Sequence, residues 1–459
     1  MSTSVHSLTS SYRDPSGFMF SKDGQLYRQV NKSFKEDYDH FISSGCYASL
    51  TKQGLLIPHQ QLQDNSTSDP EGYIILQPEV IPFISYPWEW SFDMLKDAAL
   101  LTLQLVKESL KFGMILKDAT PFNIQWLNGK PVFIDTLSFE KYNCTEPWIA
   151  YRQYCECFLG PLLIMHYTKQ SLHQLLLAFP EGIPLPVTKS LLPWRSRFSL
   201  HVWLHIHMHA NVASGKKPGS NNERKFSEKK LNDLLTSLEI VTQNVNTGNK
   251  QTTWSGYYEE AGQRADYLEK KKQIIQEWLS QTGNLKTAVD LGANDGLFSE
   301  MLAANGIFTV AADFDPVAVN NLYKDIKKKK LPGLQPLLID LANPSPNVGF
   351  ANKERASFSE RINVDIALAL ALIHHLAIGK NIPFELIAEY FSGLTKLLII
   401  EFVPKEDPMI IEMLKGKKDI YIKYTKADFE TSFLKHFSFL KTSAVGSSGR
   451  ILYFMQKCD

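Results

Sequence analysis

Five short apolar segments in the C-terminal half constrain the fold more than any other feature of the sequence. They read TAVDLGA, FTVAADFD, LQPLLIDL, VDIALALAL and KLLIIEFV, and segments of helical character separate several of them. Strands that are apolar on both faces are typical of parallel sheets covered by helices on both sides. The sequence therefore predicts a doubly wound α/β sheet, with GRILYFMQK as one further strand at the end of the chain.

The composition indicates a globular protein of two or three domains. The 459 residues carry a formal net charge of +1, so no overall field draws the chain to nucleic acid or to an anionic membrane. No apolar run approaches the roughly 20 residues that a spanning helix needs, so we expect no membrane insertion. The N-terminus does not resemble a secretory signal, and the five irregularly spaced cysteines suit a reducing compartment. We therefore expect a cytoplasmic protein.

The composition and the hydrophobic pattern of the sequence change twice along the chain. These changes predict three regions. Residues 1–210 are rich in aromatic residues and proline, with strand-like segments first and helices later, which predicts a mixed α+β domain. Residues 211–253 begin with a stretch rich in Gly, Ser and Lys and continue into a helix, and they are predicted to be a linker and connecting helix. Residues 254–459 hold the predicted parallel sheet.

A glycine-rich loop follows the first of the five apolar segments, in the sequence AVDLGANDGLFSE. A dinucleotide-binding loop requires G-x-G-x-x-G, so that backbone amides approach a pyrophosphate closely. Here Asn294 and Leu297 stand where the second and third glycines belong. Asp290 and Asp295 would also repel a doubly charged pyrophosphate. The loop therefore disfavours a dinucleotide.

S-adenosylmethionine suits this loop better, because it carries a sulfonium, an ammonium, one carboxylate and no phosphate. Asp290, at the end of a strand, is compatible with the positive charge of the methionine portion. Free N–H groups of the loop are expected to bind the carboxylate. An acid roughly 20 residues after the loop is placed to bind ribose hydroxyls. Asp313 is the first choice for that role and Asp315 the second, while Asp340 is suited to accept a hydrogen bond from the adenine amine. The alternative is a tight turn whose aspartates only cap helices.

Residues 254–457 resemble a class I, Rossmann-like, S-adenosylmethionine-dependent methyltransferase. The motifs are D-x-G-x-x-x-G at Asp290, Gly292 and Gly296, the acids Asp313 and Asp340, and IHHL after the fourth strand. The resemblance implies a sheet that is parallel except for one reversed strand, with GRILYFMQK in the reversed part. The predicted cofactor-binding residues are Asp290, Gly292, Ala293, Asn294, Gly296, Phe298, Asp313, Phe314, Asp315, Asp340 and Leu341.

Three residues are candidates for acid–base catalysis. His374 and His375 follow the fourth strand, where substrate is expected to approach, and histidine deprotonates oxygen or nitrogen nucleophiles near neutral pH. His374 is slightly preferred; the alternative is that one histidine packs against the sheet and the other is solvated. Glu401, at the end of the fifth strand, is a further candidate acid or base. Trp254, Tyr257 and Tyr258 are predicted to cover the cofactor.

The N-terminal region has a motif of its own, LKDATPFNIQWLNGKPVFIDTLSFE. Its spacing of Asp118, Asn123 and Asp135 resembles the catalytic segment of protein kinases and aminoglycoside-type phosphotransferases. That resemblance implies a kinase-like domain in which Asp118 orients a hydroxyl while Asn123 and Asp135 hold Mg²⁺ for ATP. No G-x-G-x-x-G loop lies upstream, and Arg28 stands where a phosphate-binding Lys is expected. The alternative is a β-hairpin whose Asp and Asn residues are caps.

Nearly the whole chain resembles bacterial two-part methyltransferases that carry phrases such as ISYPWEWSF and PWIAYRQYC. Nodulation-type and carbohydrate-modifying relatives imply a sugar, a glycan or another small molecule as acceptor. The prediction is therefore methyl transfer from S-adenosylmethionine, with the N-terminal half presenting substrate or regulating access. Two alternatives stay open: an Mg-ATP phosphotransferase in the N-terminal half, and a non-catalytic cofactor-binding scaffold. The sequence predicts neither the oligomeric state nor a partner protein, and it predicts no metal site outside the phosphotransferase alternative.

Overall fold

A computed structural model describes residues 6–8, 10–62, 69–210, 227–248, 265–416 and 418–458. The chain divides into two compact units. The first comprises Met1–Asn249 together with Val348–Arg355, and the second comprises Lys250–Asn347 together with Ala356–Asp459. No helix in the described ranges combines the length and the apolar character needed to cross a lipid bilayer.

The first unit begins with a five-stranded antiparallel sheet. Its strands are β1 (His6–Ser7), β2 (Gly17–Lys22), β3 (Gln25–Asn31), β4 (His59–Leu62) and β5 (Gly72–Pro78), in the order β1-β2-β3-β5-β4. A hairpin joins β2 to β3 through Asp23 and Gly24, whose φ angles of 53° and 75° suit the turn that a two-residue hairpin prefers. Val30 and Leu76 of this sheet pack against Phe34, Tyr38 and Leu137 to form a small core.

Helices and two short strand pairs complete the first unit. Strand β6 (Met114–Leu116) pairs with β9 (Phe139–Lys141), and β7 (Ile124–Leu127) pairs with β8 (Lys130–Phe133). The helices are α1 (Lys35–Ser43), α2 (Cys46–Lys52), α3 (Phe92–Leu110), α4 (Tyr151–Tyr154), α5 (Gly160–Thr168), α6 (Gln174–Ala178), α7 (Leu185–Leu191), α8 (Leu200–Val202) and α9 (Glu228–Asn244).

Helix α3 is amphipathic and begins after Ser91. The Ser91 hydroxyl caps it by accepting from the backbone N–H of Met94. Lys96 on α3 donates to the carbonyls of Gln243 and Val245 at 2.7 and 2.9 Å. Helix α9, which the sequence assigns to the connecting segment, therefore packs on α3 inside the first unit.

The second unit is built on a seven-stranded sheet. Its strands are β10 (Thr287–Leu291), β11 (Phe308–Asp313), β12 (Leu334–Leu338), β13 (Val364–Ala369), β14 (Thr395–Phe402), β15 (Phe437–Ala444) and β16 (Ile451–Lys457). Its helices are α10 (Ala265–Ser280), α11 (Leu297–Ala304), α12 (Pro316–Lys329), α13 (Phe358–Arg361), α14 (Phe384–Leu394), α15 (Pro408–Leu414) and α16 (Lys426–Phe433).

The strand order confirms the predicted Rossmann-like sheet. The order is β12-β11-β10-β13-β14-β16-β15, with parallel pairing from β12 through to β14. Strand β16 runs antiparallel to both of its neighbours, so GRILYFMQK holds the reversed strand, as the resemblance implies. Strand β15 is not among the predicted strands. After the buried Phe437, its exposed residues alternate with half-buried ones, unlike the apolar runs of the five predicted parallel strands.

Separate groups of buried side chains pack around this sheet. Ile275 and Trp278 of α10 pack with Phe298, Leu368 and Ile399 in one cluster. In another cluster, Leu322 and Ile326 of α12 pack with Ala311 and Leu334. Apolar burial therefore fixes both α10 and α12 in the second unit. The glycine loop is held between these two helices.

Candidate functional site

The order of the sheet reverses between β10 and β13, and a cavity lies at that point. Chain segments leave the carboxyl ends of these two strands in opposite directions, which opens the crevice where α/β sheets bind ligands. The cavity is lined by Tyr267, Leu268, Lys271, Asp290, Gly292, Ala293, Asn294, Phe298, Asp313, Phe314, Ile339, Asp340, Leu341, Leu370, Ala371, Leu372, His375, Leu376, Gly379 and Lys380. We call this the switch-point cavity.

Both glycines of the loop occupy positions that a side chain would strain. Gly292 has φ +78°, and a Cβ there would lie 3.2 Å from Leu372 Cδ1. Gly296 has φ +84°, and its Cβ would lie 2.5 Å from Leu322 Cδ1, so the close packing of the loop on α12 requires glycine. Gly296 does not line the switch-point cavity, and its role is to turn the chain into α11.

The backbone N–H groups of the loop are engaged within the protein. Those of Gly292 and Ala293 both donate to the carbonyl of Ala312, at 2.8 and 3.1 Å. The N–H of Asn294 donates to Asp313 Oδ2 at 2.8 Å. The expectation that free loop amides take the cofactor's carboxylate is therefore wrong for these three residues, because strand β11 already uses them. For the same reason, these three N–H groups are not available to bind a pyrophosphate.

Of the two acids in the loop, only Asp290 faces the cavity. Burial raises its pKa to about 6; a 2.6 Å hydrogen bond from the Ser299 hydroxyl opposes the shift and the charge of Asp313 adds to it. Asp295 instead accepts from the N–H of Leu297 at the start of α11, and burial raises its pKa to about 6. A buried carboxyl with a raised pKa is stabilised in its charged form by a bound cation.

The acids after β11 have separate roles. Asp313 lines the cavity, and its two carboxylate oxygens accept from the backbone N–H groups of Asn294 and Asp315, both at 2.8 Å. Burial raises its pKa, and these hydrogen bonds oppose the shift. Asp315 accepts from the N–H groups of Val317 and Ala318 at the start of α12, so it caps that helix and does not line the cavity. The cavity thus includes Asp313, the first choice from the sequence, and not Asp315, the second, and the ribose-binding role of Asp313 stays a prediction.

The segment after β12 contributes to the edge of the cavity. Asp340 Oδ1 accepts from the N–H of Ala342 at 2.9 Å, and Asp340 Oδ2 lies 3.5 Å from Lys380 Nζ. Leu341 adds an apolar side chain, and Phe314, which is 54% exposed, adds an aromatic ring. A flat apolar group with a polar edge, such as a purine, suits this combination of rings, aliphatic side chains and one carboxylate.

The two adjacent histidines differ sharply in environment. His375 lines the cavity, whereas His374 is 1% exposed and does not. Neither ring nitrogen of His374 has a hydrogen-bond partner in the described ranges. Burial, together with the charge of Arg450, lowers the pKa of His375 to about 4, and burial lowers the pKa of His374 well below its usual value. The geometry therefore favours His375, although sequence reasoning slightly preferred His374.

Glu401 is fully buried and already has several partners. Its Oε2 accepts from Lys271 Nζ at 2.7 Å and from the N–H of Ala371 at 2.8 Å, while the Tyr267 hydroxyl donates to Oε1. Burial alone would raise its pKa, but Lys271 and Arg450 bring the pKa below its usual value. The structure therefore corrects its predicted role as an acid or base, because these contacts make it an ionised anchor.

Sequence reasoning missed Tyr267 and Lys271, which lie four residues apart on α10 and both line the cavity. Their spacing places them on one face of the helix, which is a signal that the sequence contains. Their pairing with Glu401, however, spans more than 100 residues and has no local signature. The predicted aromatic cover at Trp254, Tyr257 and Tyr258 lies outside the described residues.

In the first unit, the predicted magnesium ligands bond to each other. Asn123 Nδ2 donates to Asp118 Oδ2 at 3.1 Å and to Asp135 Oδ2 at 3.4 Å. Arg28 lies 2.5 Å from Asp135 Oδ1, and the Ser138 hydroxyl donates to Asp135 Oδ2 at 2.6 Å. Burial raises the pKa of Asp118, and the charge of Asp135 adds to this shift. In the part of the chain that the structure describes, no group of three His, Cys, Asp or Glu residues is arranged to hold a metal ion.

Two methyltransferases are among the solved structures that are similar to part of this chain. The N-methyltransferase NodS from Bradyrhizobium japonicum WM9 is 9% identical, matches 42% of this chain and 98% of its own, and has a TM-score of 0.32. Magnesium protoporphyrin IX methyltransferase from Synechocystis PCC 6803, solved with bound S-adenosylmethionine, is 17% identical, matches 46% of this chain and 87% of its own, and has a TM-score of 0.30.

A comparison over the whole length identifies the family. No protein-family model matches the sequence. Nodulation protein NoeA of Rhizobium meliloti (strain 1021) is 32% identical over 461 residues, which span 98% of this chain and 96% of that protein. This chain therefore belongs to the family of nodulation protein NoeA.

Proposed function

We propose that the second unit binds S-adenosylmethionine in the switch-point cavity and transfers a methyl group to a small-molecule acceptor. One observation carries this proposal: three acids at the carboxyl ends of neighbouring parallel strands, Asp290, Asp313 and Asp340, line one cavity, and the N–H groups of residues 292–294 beside it are engaged. A pyrophosphate would meet these three carboxylates, and the N–H groups of residues 292–294 are already engaged, which makes its binding electrostatically unfavourable. A ligand with an ammonium, hydroxyl groups and an amine meets a carboxylate at each of these strand ends.

Each acid suits a different portion of the cofactor. We assign the ammonium to Asp290, because a bound cation compensates for the burial of that carboxylate. The ribose hydroxyls are assigned to Asp313, and the adenine ring to the surface formed by Asp340, Leu341 and Phe314. When bound, the cofactor supplies an electrophilic methyl group on a sulfonium. The rigid strands and the engaged loop hold these side chains in place, so alignment contributes most of the rate.

We propose that His375 takes up the proton that the substrate loses when it receives the methyl group. It lines the cavity, and with a pKa of about 4 its imidazole is neutral at pH 7. Its low pKa makes it a weak base, so it contributes a modest factor beyond alignment. His375→Ala should lower kcat and leave the Kd for the cofactor nearly unchanged, whereas His374→Ala should chiefly lower stability.

The proposed acceptor is a sugar, a glycan or another small molecule. The resemblance to carbohydrate-modifying two-part proteins favours this class, and the relative is named as a nodulation protein. We propose that the first unit presents this acceptor or regulates its access. A cytoplasmic location is proposed as well, since all five cysteines are free and three of them are buried.

Isothermal titration of the full-length protein tests the proposal. We expect S-adenosylmethionine and S-adenosylhomocysteine to bind, and NADH at the same concentration to give no heat of binding. Detection of S-adenosylhomocysteine by mass spectrometry after incubation with candidate glycans then tests transfer. Binding of NADH in competition with S-adenosylhomocysteine would contradict the cofactor assignment. Tight cofactor binding without turnover on any acceptor would favour a scaffold.

We also propose that the first unit has a kinase-like fold. Its support is the arrangement of a five-stranded antiparallel sheet with α1 and α2 between β3 and β4, followed by α3 and the pairs β6–β9 and β7–β8. Asp118 and Asn123 lie between β6 and β7, and Asp135 follows β8. Phosphoryl transfer is not favoured, because Arg28 neutralises Asp135 and the Asn123 amide nitrogen donates to both acids.

A thermal-shift measurement with Mg-ATP tests this second proposal. We expect no increase in Tm for the wild-type protein, and the same result for Asp135→Ala. The Arg28→Ala variant provides the matched control, because it frees Asp135 without removing a proposed ligand. A Tm that rises with Mg-ATP in the wild type but not in Asp135→Ala would restore the phosphotransferase alternative.

A further inference from the structure

Helix α10 brings a buried cation to the wall of the switch-point cavity. Lys271 lines the cavity and is 3% exposed. Its Nζ donates to Glu401 Oε2 at 2.7 Å and lies 5.3 Å from the centre of the Phe298 ring. Lysine carries three N–H donors, and the structure gives this ammonium one hydrogen-bond acceptor among the residues it describes. Two donors therefore remain for a ligand in the cavity.

Glu401 neutralises Lys271 only in part, because it divides its carboxylate among several groups. It also accepts from the Tyr267 hydroxyl and the N–H of Ala371, and Arg450 Nη1 lies 3.9 Å from its Oε1. These contacts connect α10, the segment after β13 and the residue before β16 to one carboxylate. Lys271 is thus held in position before any ligand arrives, which lowers the entropic cost of using it in binding.

The cofactor's carboxylate needs a donor that the glycine loop does not supply. The N–H groups of Gly292, Ala293 and Asn294 are engaged with strand β11. The other lysine in the cavity is Lys380, but its side chain is 54% exposed and lies 3.5 Å from Asp340. A buried, preorganised ammonium forms a stronger charge-assisted hydrogen bond than an exposed one. Lys271 is therefore the better-placed cation.

We propose that Lys271, anchored by Glu401, binds the carboxylate of the methionine portion of S-adenosylmethionine. This inference rests on the proposed function. It also gives the cavity a pair of opposite charges that match the zwitterion: Asp290 for the ammonium and Lys271 for the carboxylate. Lys271 then acts as a recognition residue that distinguishes ligands by their carboxylate.

Isothermal titration with two ligands isolates this contact. Decarboxylated S-adenosylmethionine keeps the sulfonium, the ammonium, the ribose and the adenine, and lacks only the carboxylate. We expect the wild-type protein to bind S-adenosylmethionine roughly 10- to 100-fold more tightly than the decarboxylated ligand, as loss of a charge-assisted hydrogen bond predicts. In Lys271→Met this preference should fall to nearly one, while the affinity for the decarboxylated ligand changes little.

Two further variants keep the experiment decisive. Lys380→Met is the matched control and should keep the wild-type preference. Lys271→Met leaves Glu401 without its lysine, so the double variant Lys271→Met/Glu401→Gln removes both charges and should show the same lost preference if the single variant unfolds.

The outcomes separate this inference from the proposed function. An unchanged preference in both Lys271 variants overturns the assignment of Lys271, as does an equal loss of affinity for the two ligands. A lost preference in Lys380→Met instead of Lys271→Met transfers the role to Lys380. If the wild-type protein binds neither ligand, the proposed function itself is wrong, and this inference falls with it.

Discussion

At the scale of single residues, the site depends on the difference between two acids that lie two positions apart. Asp313 lines the cavity, whereas Asp315 caps α12 and does not. Asp313→Asn keeps the size of the side chain and one acceptor oxygen but loses the charge. We expect it to weaken S-adenosylhomocysteine binding by roughly 10- to 100-fold, from the loss of charge-assisted hydrogen bonds to hydroxyls, as measured by isothermal titration.

The matched control for that variant is Asp315→Asn. It should leave the affinity for S-adenosylhomocysteine nearly unchanged and lower the free energy of unfolding by no more than about 1 kcal/mol, because asparagine is also a good N-cap. If the two variants lose affinity equally, the distinction between a binding acid and a capping acid is wrong.

Asp290 makes stability depend on pH in a defined direction. Burial raises its pKa to about 6 in the folded protein, above the value of about 3.9 in an unfolded chain. The folded state therefore holds the proton more tightly, and this contribution to stability is present below about pH 4 and lost as the pH rises through 6. Relative to the wild type, Asp290→Asn should gain on the order of 2 kcal/mol between pH 4 and 7 in urea unfolding experiments. A constant difference would show that Asp290 has an ordinary pKa.

The same ionisation affects binding with the opposite consequence. Below its pKa of about 6, Asp290 is neutral and attracts an ammonium less strongly. The affinity for S-adenosylmethionine should therefore fall as the pH is lowered from 7 to 5, while Asp290→Asn should bind weakly with a flatter pH profile. The affinity of the wild-type protein for decarboxylated S-adenosylmethionine should show the same pH dependence, because this ligand keeps the ammonium.

At the scale of elements, the turn between β10 and α11 depends on close packing against α12. A Cβ at Gly296 would lie 2.5 Å from Leu322 Cδ1, and the φ angle of +84° is strained for other residues. Gly296→Ala should lower the free energy of unfolding by roughly 2–4 kcal/mol, from backbone strain together with overpacking. Gly306→Ala is the control: φ is +78° with no atom within 4 Å of its Cβ, so only the backbone cost of about 1 kcal/mol applies. Equal losses in urea unfolding would contradict the packing argument.

The elements of the second unit show which sequence signals are reliable. Strands β10 to β14 are mostly buried apolar runs, as expected for parallel strands covered on both faces, and the sequence predicts all five. In strand β15, exposed residues alternate with half-buried ones after the buried Phe437, so it lacks that signal. The period-two alternation of residues 437–444 is the sequence signal that indicates this strand.

At the scale of the whole molecule, the two compact units are expected to respond to different ligands. Binding stabilises the region that binds, so S-adenosylhomocysteine should increase amide protection against hydrogen exchange in peptides covering 287–304 and 308–329. Mg-ATP should leave protection unchanged in peptides covering 114–141. The measurement is made by mass spectrometry on the full chain. Protection by S-adenosylhomocysteine confined to the first unit would contradict the proposed site.

Local sequence patterns are sufficient to predict the parallel sheet, the glycine loop and the acids at the strand ends. These are local features: apolar runs mark buried strands, and glycine marks positions with positive φ. The sequence does not show which of the neighbouring residues His374 and His375 faces the cavity, because consecutive side chains point in different directions. The sequence therefore leaves their roles open.

Contacts between residues that are distant in the chain set which donors and charges remain for a ligand. The loop amides are engaged by strand β11, and Glu401 is held by Tyr267 and Lys271, more than 100 residues away in the chain. Burial then set the pKa values of Asp290 and His375. Hydrogen-bond partners and desolvation depend on residues far apart in the sequence, so no local pattern specifies them.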